Sequence, residues 1–293
     1  PGHEFSGEIV EIDENDRGLK PGMIVTVNPY FNDGTCYSCQ RGLLNCCEHN
    51  ETMGAQRDGA FSEYVSVPIE RVYDGKGLPA KTLALIEPFC ISWHGVSRAN
   101  VKEGDKVLDM CAAPGGKSTY ILSKLNDTGL LVSNEINPTR IRALGENLER
   151  FGARNCIITN TDSNNLRKLF TGYFDKVVID APCSGQGMFR KDEVAITDWS
   201  YAKVLECQSI QKEIIRDGYD MLKNGGILVY STCTFAKEEN EDVINEFISE
   251  YENAKLIEMQ RIWPHKVSGE GHFVAKIQKL ENEDCNVKYI KIK

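Results

Sequence analysis

The stretch Lys106-Val107-Leu108-Asp109-Met110-Cys111-Ala112-Ala113-Pro114-Gly115-Gly116-Lys117-Ser118-Thr119 decides how the chain folds. Lys106–Met110 reads as a short apolar strand, and the small residues, proline and glycines after it read as a tight loop. Lys117-Ser118-Thr119 then opens a helix through Leu125. Small residues at such a strand-to-helix turn let the backbone approach a ligand closely. The spacing G-x-x-x-x-G-K-S/T of a nucleotide-triphosphate loop is absent, and Gly115-Gly116 has no third spaced glycine to make a nicotinamide fingerprint.

Downstream the alternation repeats. Strands are expected at Leu130–Asn134, Cys156–Thr159, Lys176–Ile179 and Ile227–Tyr230, with helices at Thr139–Phe151, Tyr201–Leu222 and Glu238–Tyr251. Strands alternating with helices predict βαβ units on a parallel, doubly wound sheet. Ligands of such sheets bind beyond the carboxyl ends of the strands. Glu135 ends the second strand, where an acid accepts hydrogen bonds either from ribose hydroxyls or from a helix start. Asp162, just after the third strand, has the same two readings, an adenine amine or a cap. Asp180-Ala181-Pro182-Cys183-Ser184-Gly185 and Tyr230-Ser231-Thr232-Cys233-Thr234 follow later strands. A single buried Cys is ordinarily a small hydrophobe. Two thiols at strand ends beside an Asp point to chemistry instead.

Upstream the texture differs. Residues 5–73 read as short β segments, Phe5–Ile12, Met23–Val27 and Phe61–Val67, punctuated by Gly and Pro, which predicts a small irregular β unit. Lys81–Asn100, with Leu83, Leu85, Ile86, Ile91, Trp93 and Val96, reads as one or two helices. A chain of 293 residues suggests two domains, and 41% hydrophobic with 26% charged residues excludes wholesale disorder. No run of about 18 apolar residues is present to span a membrane. The opening Pro1-Gly2-His3-Glu4 has no initiator Met, basic start or apolar stretch, so it reads as a start inside a longer pattern, without a signal peptide.

The net charge is -9, with 9 Lys and Arg against 15 Asp and Glu in residues 1–104. Such a balance argues against a broadly basic, phosphate-gripping surface. Eleven cysteines without a secretion signal favour metal binding and catalysis over a disulfide framework, and a cytoplasmic location is expected.

DMCAAPGGKST, DAPCSGQGMFRKD and YSTCTF, in that order and spacing, resemble the Sun/nucleolar-protein family of S-adenosylmethionine-dependent RNA cytosine-5 methyltransferases. The closing GEGHFVAKIQK is similar to the end of the catalytic domain in the bacterial ribosomal RNA members. The resemblance spans about residues 105–280 and implies a Rossmann-like methyltransferase domain. It implies that Cys111, Ala112, Ala113, Pro114, Gly115, Gly116 and Lys117 hold the cofactor, with Glu135 at its ribose and Asp162 at its adenine. Asp180 is then shared between cofactor and target base, Cys233 is the nucleophile, and Cys183 assists product release. The implied partner is RNA, specifically ribosomal RNA, with no membrane and no disulfide partner.

Gly2-His3-Glu4-Phe5-Ser6-Gly7-Glu8-Ile9, the cysteine loop, Gly59-Ala60-Phe61-Ser62-Glu63-Tyr64 and Glu87-Pro88 resemble the GroES-like domain of zinc-dependent medium-chain alcohol and polyol dehydrogenases. This resemblance spans about residues 1–108. Asp33, Cys36, Cys39 and Cys47 follow the spacing of that family's structural-zinc lobe, with Asp33 where a Cys usually stands and Cys46 a substitute ligand. Three thiolates and a carboxylate make a closed tetrahedral zinc site. His3, Glu4 and Glu87 match the neighbourhood of the catalytic zinc, whose preceding Cys ligand is missing here. Because Gly104–Leu108 leads into DMCAAPGGKST and not into a nicotinamide loop, no hydride transfer is expected.

The expected organisation is therefore α/β: a GroES-like β domain over 1–104, a methyltransferase domain over 105–280 and a short tail over 281–293. The alternatives are a zinc-dependent oxidoreductase fragment, or a fusion that binds zinc and S-adenosylmethionine without turnover.

Overall fold

The computed structural model describes residues 2–87, 89, 96–189, 193–266 and 271–281. Ile91 and Trp93 of the expected helical stretch, Arg190-Lys191-Asp192 of the second cysteine motif, Gly269-Glu270 and nearly all of the expected tail lie outside them. The chain divides into two compact units. The first comprises Pro1–Trp93, Met188–Glu193 and Trp263–Glu270; the second comprises His94–Gly187, Val194–Ile262 and Gly271–Lys293. Residues 94–104, which the sequence reading assigned to the first domain, thus fall in the second.

Among its described residues the first unit holds five short strands: β1 (Ser6–Glu8), β2 (Ile24–Val27), β3 (Tyr30–Phe31), β4 (Glu51–Thr52) and β5 (Val72–Asp74). They form an antiparallel sheet in the order β1-β2-β5 and a separate β3-β4 pair. Leu19, Val25, Val27, Met53 and Val72 make its small core. The expected strand at Phe61–Val67 is not formed. Phe61 is 89% exposed, so the alternation there has no second layer to bury its apolar face.

The second unit carries β6 (Lys106–Asp109), β7 (Leu130–Asn134), β8 (Cys156–Thr159), β9 (Phe174–Asp180), β10 (Leu222–Thr232), β11 (Ala254–Ile262) and β12 (His272–Lys279). They form one sheet in the order β11-β12-β10-β9-β6-β7-β8. The β10-β9-β6-β7-β8 portion is parallel, and β12 and β11 are added antiparallel at one edge. From β8 the chain returns to the other side of β6, which makes the gap between β6 and β9 the switch point where ligands of doubly wound sheets sit. Not expected from sequence were the Ser163–Phe170 helix, the short Glu193–Thr197 helix and the antiparallel β11-β12 edge.

Both faces of this sheet are covered, and the burial pattern follows the strand period of two. Leu108, Val177, Ile179, Leu228 and Tyr230 point into one core with Leu166, Ile215, Tyr219, Ile244 and Phe247 of the covering helices. The intervening Val107, Val178 and Val229 point into the opposite core with Ile121, Leu125, Leu144 and Leu148. The Tyr201–Asp220 helix starts at Ser200, whose hydroxyl accepts from the Lys203 N–H. It lies so close to the sheet that a Cβ on Gly218 would stand 2.9 Å from Ile179 Cδ1 and 3.3 Å from Met110 Sδ. Gly218→Val should therefore overpack this face and destabilise the second unit by about 1–3 kcal/mol, read as a lowered midpoint in denaturant unfolding.

Candidate functional site

Register brings the site together. β9 and β10 run parallel with Asp180 opposite Ser231, and Ser231 Oγ donates to Asp180 Oδ1 over 3.1 Å. Two or three residues further on, the two chains present Cys183 and Cys233, whose sulfurs stand 3.3 Å apart. The nine described cysteines include this pair, and none of the nine forms a disulfide.

The two thiols are electrically unlike. Cys233 is held below the ordinary thiol range because Cys183 hydrogen-bonds to its sulfur, with Lys117 assisting against burial and Asp180. Cys183 is pushed well above that range, because its proton is held against the Cys233 sulfur and burial adds to the effect. Of the two, Cys183 is the group that keeps its proton and Cys233 the one that gives it up more readily. Reactive cysteines have such depressed, positively flanked environments.

On the other side of the switch point, Lys117 Nζ donates to Asp180 Oδ2 over 2.7 Å. Lys117 is largely buried while Asp180 keeps part of its carboxylate exposed. Burial alone would raise the Asp180 carboxyl, but the charge and hydrogen bond of Lys117 and the bond from Ser231 outweigh it and hold it below the usual range. Burial works equally against the charge on Lys117, and Asp180 overcomes that too.

The loop from Cys111 to Lys117 is held in place by its neighbours. The Ala112 N–H donates to the Asn134 carbonyl over 2.8 Å. Arg140 Nη2 donates to the Ala113 carbonyl over 2.7 Å, and Asn147 Nδ2 to that of Pro114 over 2.8 Å. Gly115 has φ 111°, and a Cβ there would also press on Leu144 Cδ1 at 3.1 Å, so this turn needs glycine. Beneath the loop Asp109 is fully buried: Ser118 Oγ donates to one oxygen over 2.7 Å, while Oδ1 has no partner. Burial pushes this carboxyl up to about 6, against the pull of Ser118 and Lys117.

Glu135 lies buried at the end of β7 and already accepts the N–H groups of Asn137 over 2.9 Å and Ala113 over 3.3 Å. A carboxylate has further lone pairs for a ligand hydroxyl. Asp162 is exposed and caps the Ser163–Phe170 helix, accepting from the Asn165 N–H over 2.8 Å. That bond and the Asn165 side chain hold its carboxyl below the usual range against a small effect of burial.

A buried polar cluster that sequence reasoning missed lies behind the thiols. Glu239 accepts from the Ser184 N–H over 2.9 Å, from the Ser184 hydroxyl, and from Gln211 Nε2 over 2.9 Å. Gln186 Oε1 accepts from Thr234 Oγ1 and from the Phe235 N–H. The only sequence signal for it was three polar residues, Glu238-Glu239-Asn240, where a helix was expected to start.

In the first unit, ligand atoms of Asp33, Cys36, Cys39 and Cys47 all lie within 4.8 Å of one another, with the three cysteines buried. His49 Nδ1 lies 2.6 Å from Asp33 Oδ2, and the N–H groups of Cys36 and Thr35 donate to Oδ1 over 3.0 and 2.9 Å. These contacts, the Cys36 N–H foremost, hold Asp33 far below the usual carboxylate range. His3, Glu4 and Glu87 form a second, more exposed group.

Residues 97–278 match the family model described as 16S rRNA methyltransferase RsmB/F, and residues 1–77 match that of the alcohol dehydrogenase GroES-like domain. Similar curated proteins include the ribosomal RNA small subunit methyltransferase F of Psychromonas ingrahamii, 38% identical over 60% of this chain and 40% of its own length. That of Vibrio parahaemolyticus is 42% identical over 61% of this chain and 41% of its own. The chain therefore spans about two fifths of the length of the curated relatives it matches. The structure of NSun6 from Pyrococcus horikoshii superposes with a TM-score of 0.58 at 30% identity, covering 67% of this chain and 52% of that one.

The polarity of the thiol pair predicts selective alkylation. Iodoacetamide should modify Cys233 ahead of Cys183, Cys111 and Cys207, all three of which burial or the thiol pair pushes upward. Since only the thiolate reacts, the rate at Cys233 should fall as pH is lowered through its depressed pKa. Peptide mass spectrometry over a pH series reads both, and preferential labelling of Cys183 would reverse the assigned polarity.

Proposed function

The chain belongs to the 16S rRNA methyltransferase RsmB/F family, and we propose that it methylates carbon 5 of a cytosine in ribosomal RNA through a covalent Cys233 adduct. The observation that carries this reading is the 3.3 Å approach of Cys183 to Cys233 at the ends of two neighbouring parallel strands, beside the Lys117–Asp180 ion pair.

The residues around the Cys111–Lys117 loop fit S-adenosylmethionine. Small side chains line the turn, and Glu135 and Asp180 stand on either side of the switch point. Asp109 Oδ1, buried without a partner, marks a polar floor beneath the loop. Glu135 would take the ribose, Asp162 the adenine edge, and the backbone of residues 111–117 the remainder. When bound there, S-adenosylmethionine supplies an electrophilic methyl group.

The chain's own residues supply the rest. Carbon 5 of cytosine is too weak a nucleophile to take a methyl group directly. Addition of the Cys233 thiolate to carbon 6, with ring nitrogen 3 taking a proton from water and pointing it at the Asp180 carboxylate, makes carbon 5 enamine-like and reactive. After carbon 5 has gained the methyl, its proton passes to water, the 5,6 double bond re-forms, Cys233 leaves as thiolate and nitrogen 3 returns its proton to water, a step that Cys183 assists. Dividing one difficult step into easier ones in this way is the gain of nucleophilic catalysis. The target base must reach the strand ends unstacked, from single-stranded RNA or by flipping.

In the first unit, Asp33, Cys36, Cys39 and Cys47 fit a structural zinc: four ligand atoms within 4.8 Å of one another, with His49 beside the carboxylate.

Two measurements test these readings. Cys233→Ala should abolish methyl transfer to ribosomal RNA, whereas Cys183→Ala should accumulate an RNA–protein adduct that survives denaturing electrophoresis; full activity of Cys233→Ala would end the assignment. Purified protein should release one zinc per chain on thiol modification, and Cys39→Ser should lose that metal; elemental analysis without zinc in the unmodified protein would remove it from the account.

A further inference from the structure

Glu239 is completely buried between the two cysteine loops, the Tyr201–Asp220 helix and the end of β10. Its contacts are one-sided in a telling way. Ser184 is the residue after Cys183, and Thr234 is the residue after Cys233. The hydroxyls of Ser184 and Thr234 lie 2.9 Å apart, and Ser184 gives both its N–H and its hydroxyl to the Glu239 carboxylate. Gln211 Nε2 donates both to that carboxylate and to the Pro182 carbonyl over 2.8 Å, on the other side of Cys183. Tyr230 donates to the Glu239 carbonyl over 2.8 Å. The adjacent Asn240 accepts from Thr232 Oγ1 over 2.6 Å and donates to the Thr234 carbonyl over 3.0 Å, so Cys233 is flanked in the same manner. The Gly187 N–H donates to the Cys233 carbonyl over 2.7 Å. Apart from the Tyr230 bond, each bond of this cluster has an end within two residues of Cys183 or Cys233 or on the Tyr201–Asp220 helix.

We propose that Glu239 is the positioning residue of the thiol pair: by holding the Ser184 N–H and hydroxyl, and through Gln211 the Pro182 carbonyl, its carboxylate fixes the loop that carries Cys183 at the separation from which it can donate to Cys233. A sulfur–sulfur hydrogen bond is weak and tolerant by itself, so its geometry must be imposed from outside. Buried, mutually satisfied polar networks supply that rigidity. Glu239 touches neither the cofactor loop nor the exposed side of Cys233. Its effect on chemistry runs wholly through the placement of the two loops.

This inference deepens the proposed function and rests on it only for the consequences in methyl transfer. The thiol pair can be read without RNA. The groups facing Cys233 are Cys183 from the loop after β9, Asp180 at the end of β9, and Lys117 from the Gly116–Leu125 helix; His272 of β12 acts on Asp180. Cys207 is the titratable group that feels Glu239 from the Tyr201–Asp220 helix. None of the groups that face Cys233 is itself substituted by a change at position 239, and loss of the Glu239 charge would by itself favour the thiolate, so an upward shift at Cys233 reports the lost alignment.

Glu239→Ala should raise the pH midpoint of Cys233 alkylation and slow the reaction at neutral pH about tenfold, the equivalent of one pKa unit. Glu239→Gln should restore the wild-type profile. Its carbonyl can still accept from the Ser184 N–H and Gln211, and its amide can donate to the Ser184 hydroxyl, which then turns to Thr234. If Glu239→Ala does not fold, Ser184→Ala supplies the same reading, with a smaller shift in the same direction. An unchanged Cys233 profile in a folded Glu239→Ala protein, or a Glu239→Gln profile as shifted as that of Glu239→Ala, would overturn the proposal. An inactive wild-type protein whose Cys233 profile still moves in Glu239→Ala would count against the methyl-transfer reading alone.

Discussion

The register between β9 and β10 is the constraint on which the site depends. With Asp180 opposite Ser231, a thiol from each strand end arrives at the same point, and the sulfurs meet at 3.3 Å. A slip of one residue would turn alternate side chains to the opposite face. Ile179 and Tyr230 would leave one core, Val178 and Val229 the other, and the two cysteines would part. Because both faces of the sheet are packed, the cores themselves hold the register. The hydrophobic energy that folds the second unit is therefore the same energy that aligns its candidate chemistry.

Charge is arranged around that alignment with economy. Lys117 and Asp180 bridge the switch point as a partly buried ion pair, and each resists the cost that burial imposes on the other. Lys117 also favours the Cys233 thiolate while Asp180 opposes it, so Cys183 becomes the group that decides the balance. Of the two thiols, Cys233 is the one that gives up its proton more readily.

The two units have different structural economies. The second is a seven-stranded sheet with two hydrophobic cores. The first has five strands of two to four residues and a core of a few side chains, beside a lobe whose buried groups are three cysteines. So small a core gains much from a metal that fastens a loop. Asp33 in place of a fourth thiolate keeps the lobe's charge while its hydrogen bonds to His49, Thr35 and Cys36 fix its direction.

Much of this was legible in the residues. The run from Lys106 to Thr119, the alternation after it and the linked cysteine motifs were enough to specify a doubly wound sheet with thiols at its strand ends. Local spacing encodes such features because a strand, a tight turn and a helix start are each built from a few neighbouring residues. The strand at Phe61–Val67 failed because alternation describes a surface that wants a partner, and no layer covers it. The Ser163–Phe170 helix went unseen although Asp162 was open to a cap reading, because its eight residues hold too few apolar positions to show a helical period. What only the folded chain decided was long-range: which thiol carries the proton, how Lys117 comes to face Asp180 across 63 positions, and why Glu239 lies against Ser184 across 55. Those relations depend on strand order and on burial, and neither is a property of any short stretch of sequence.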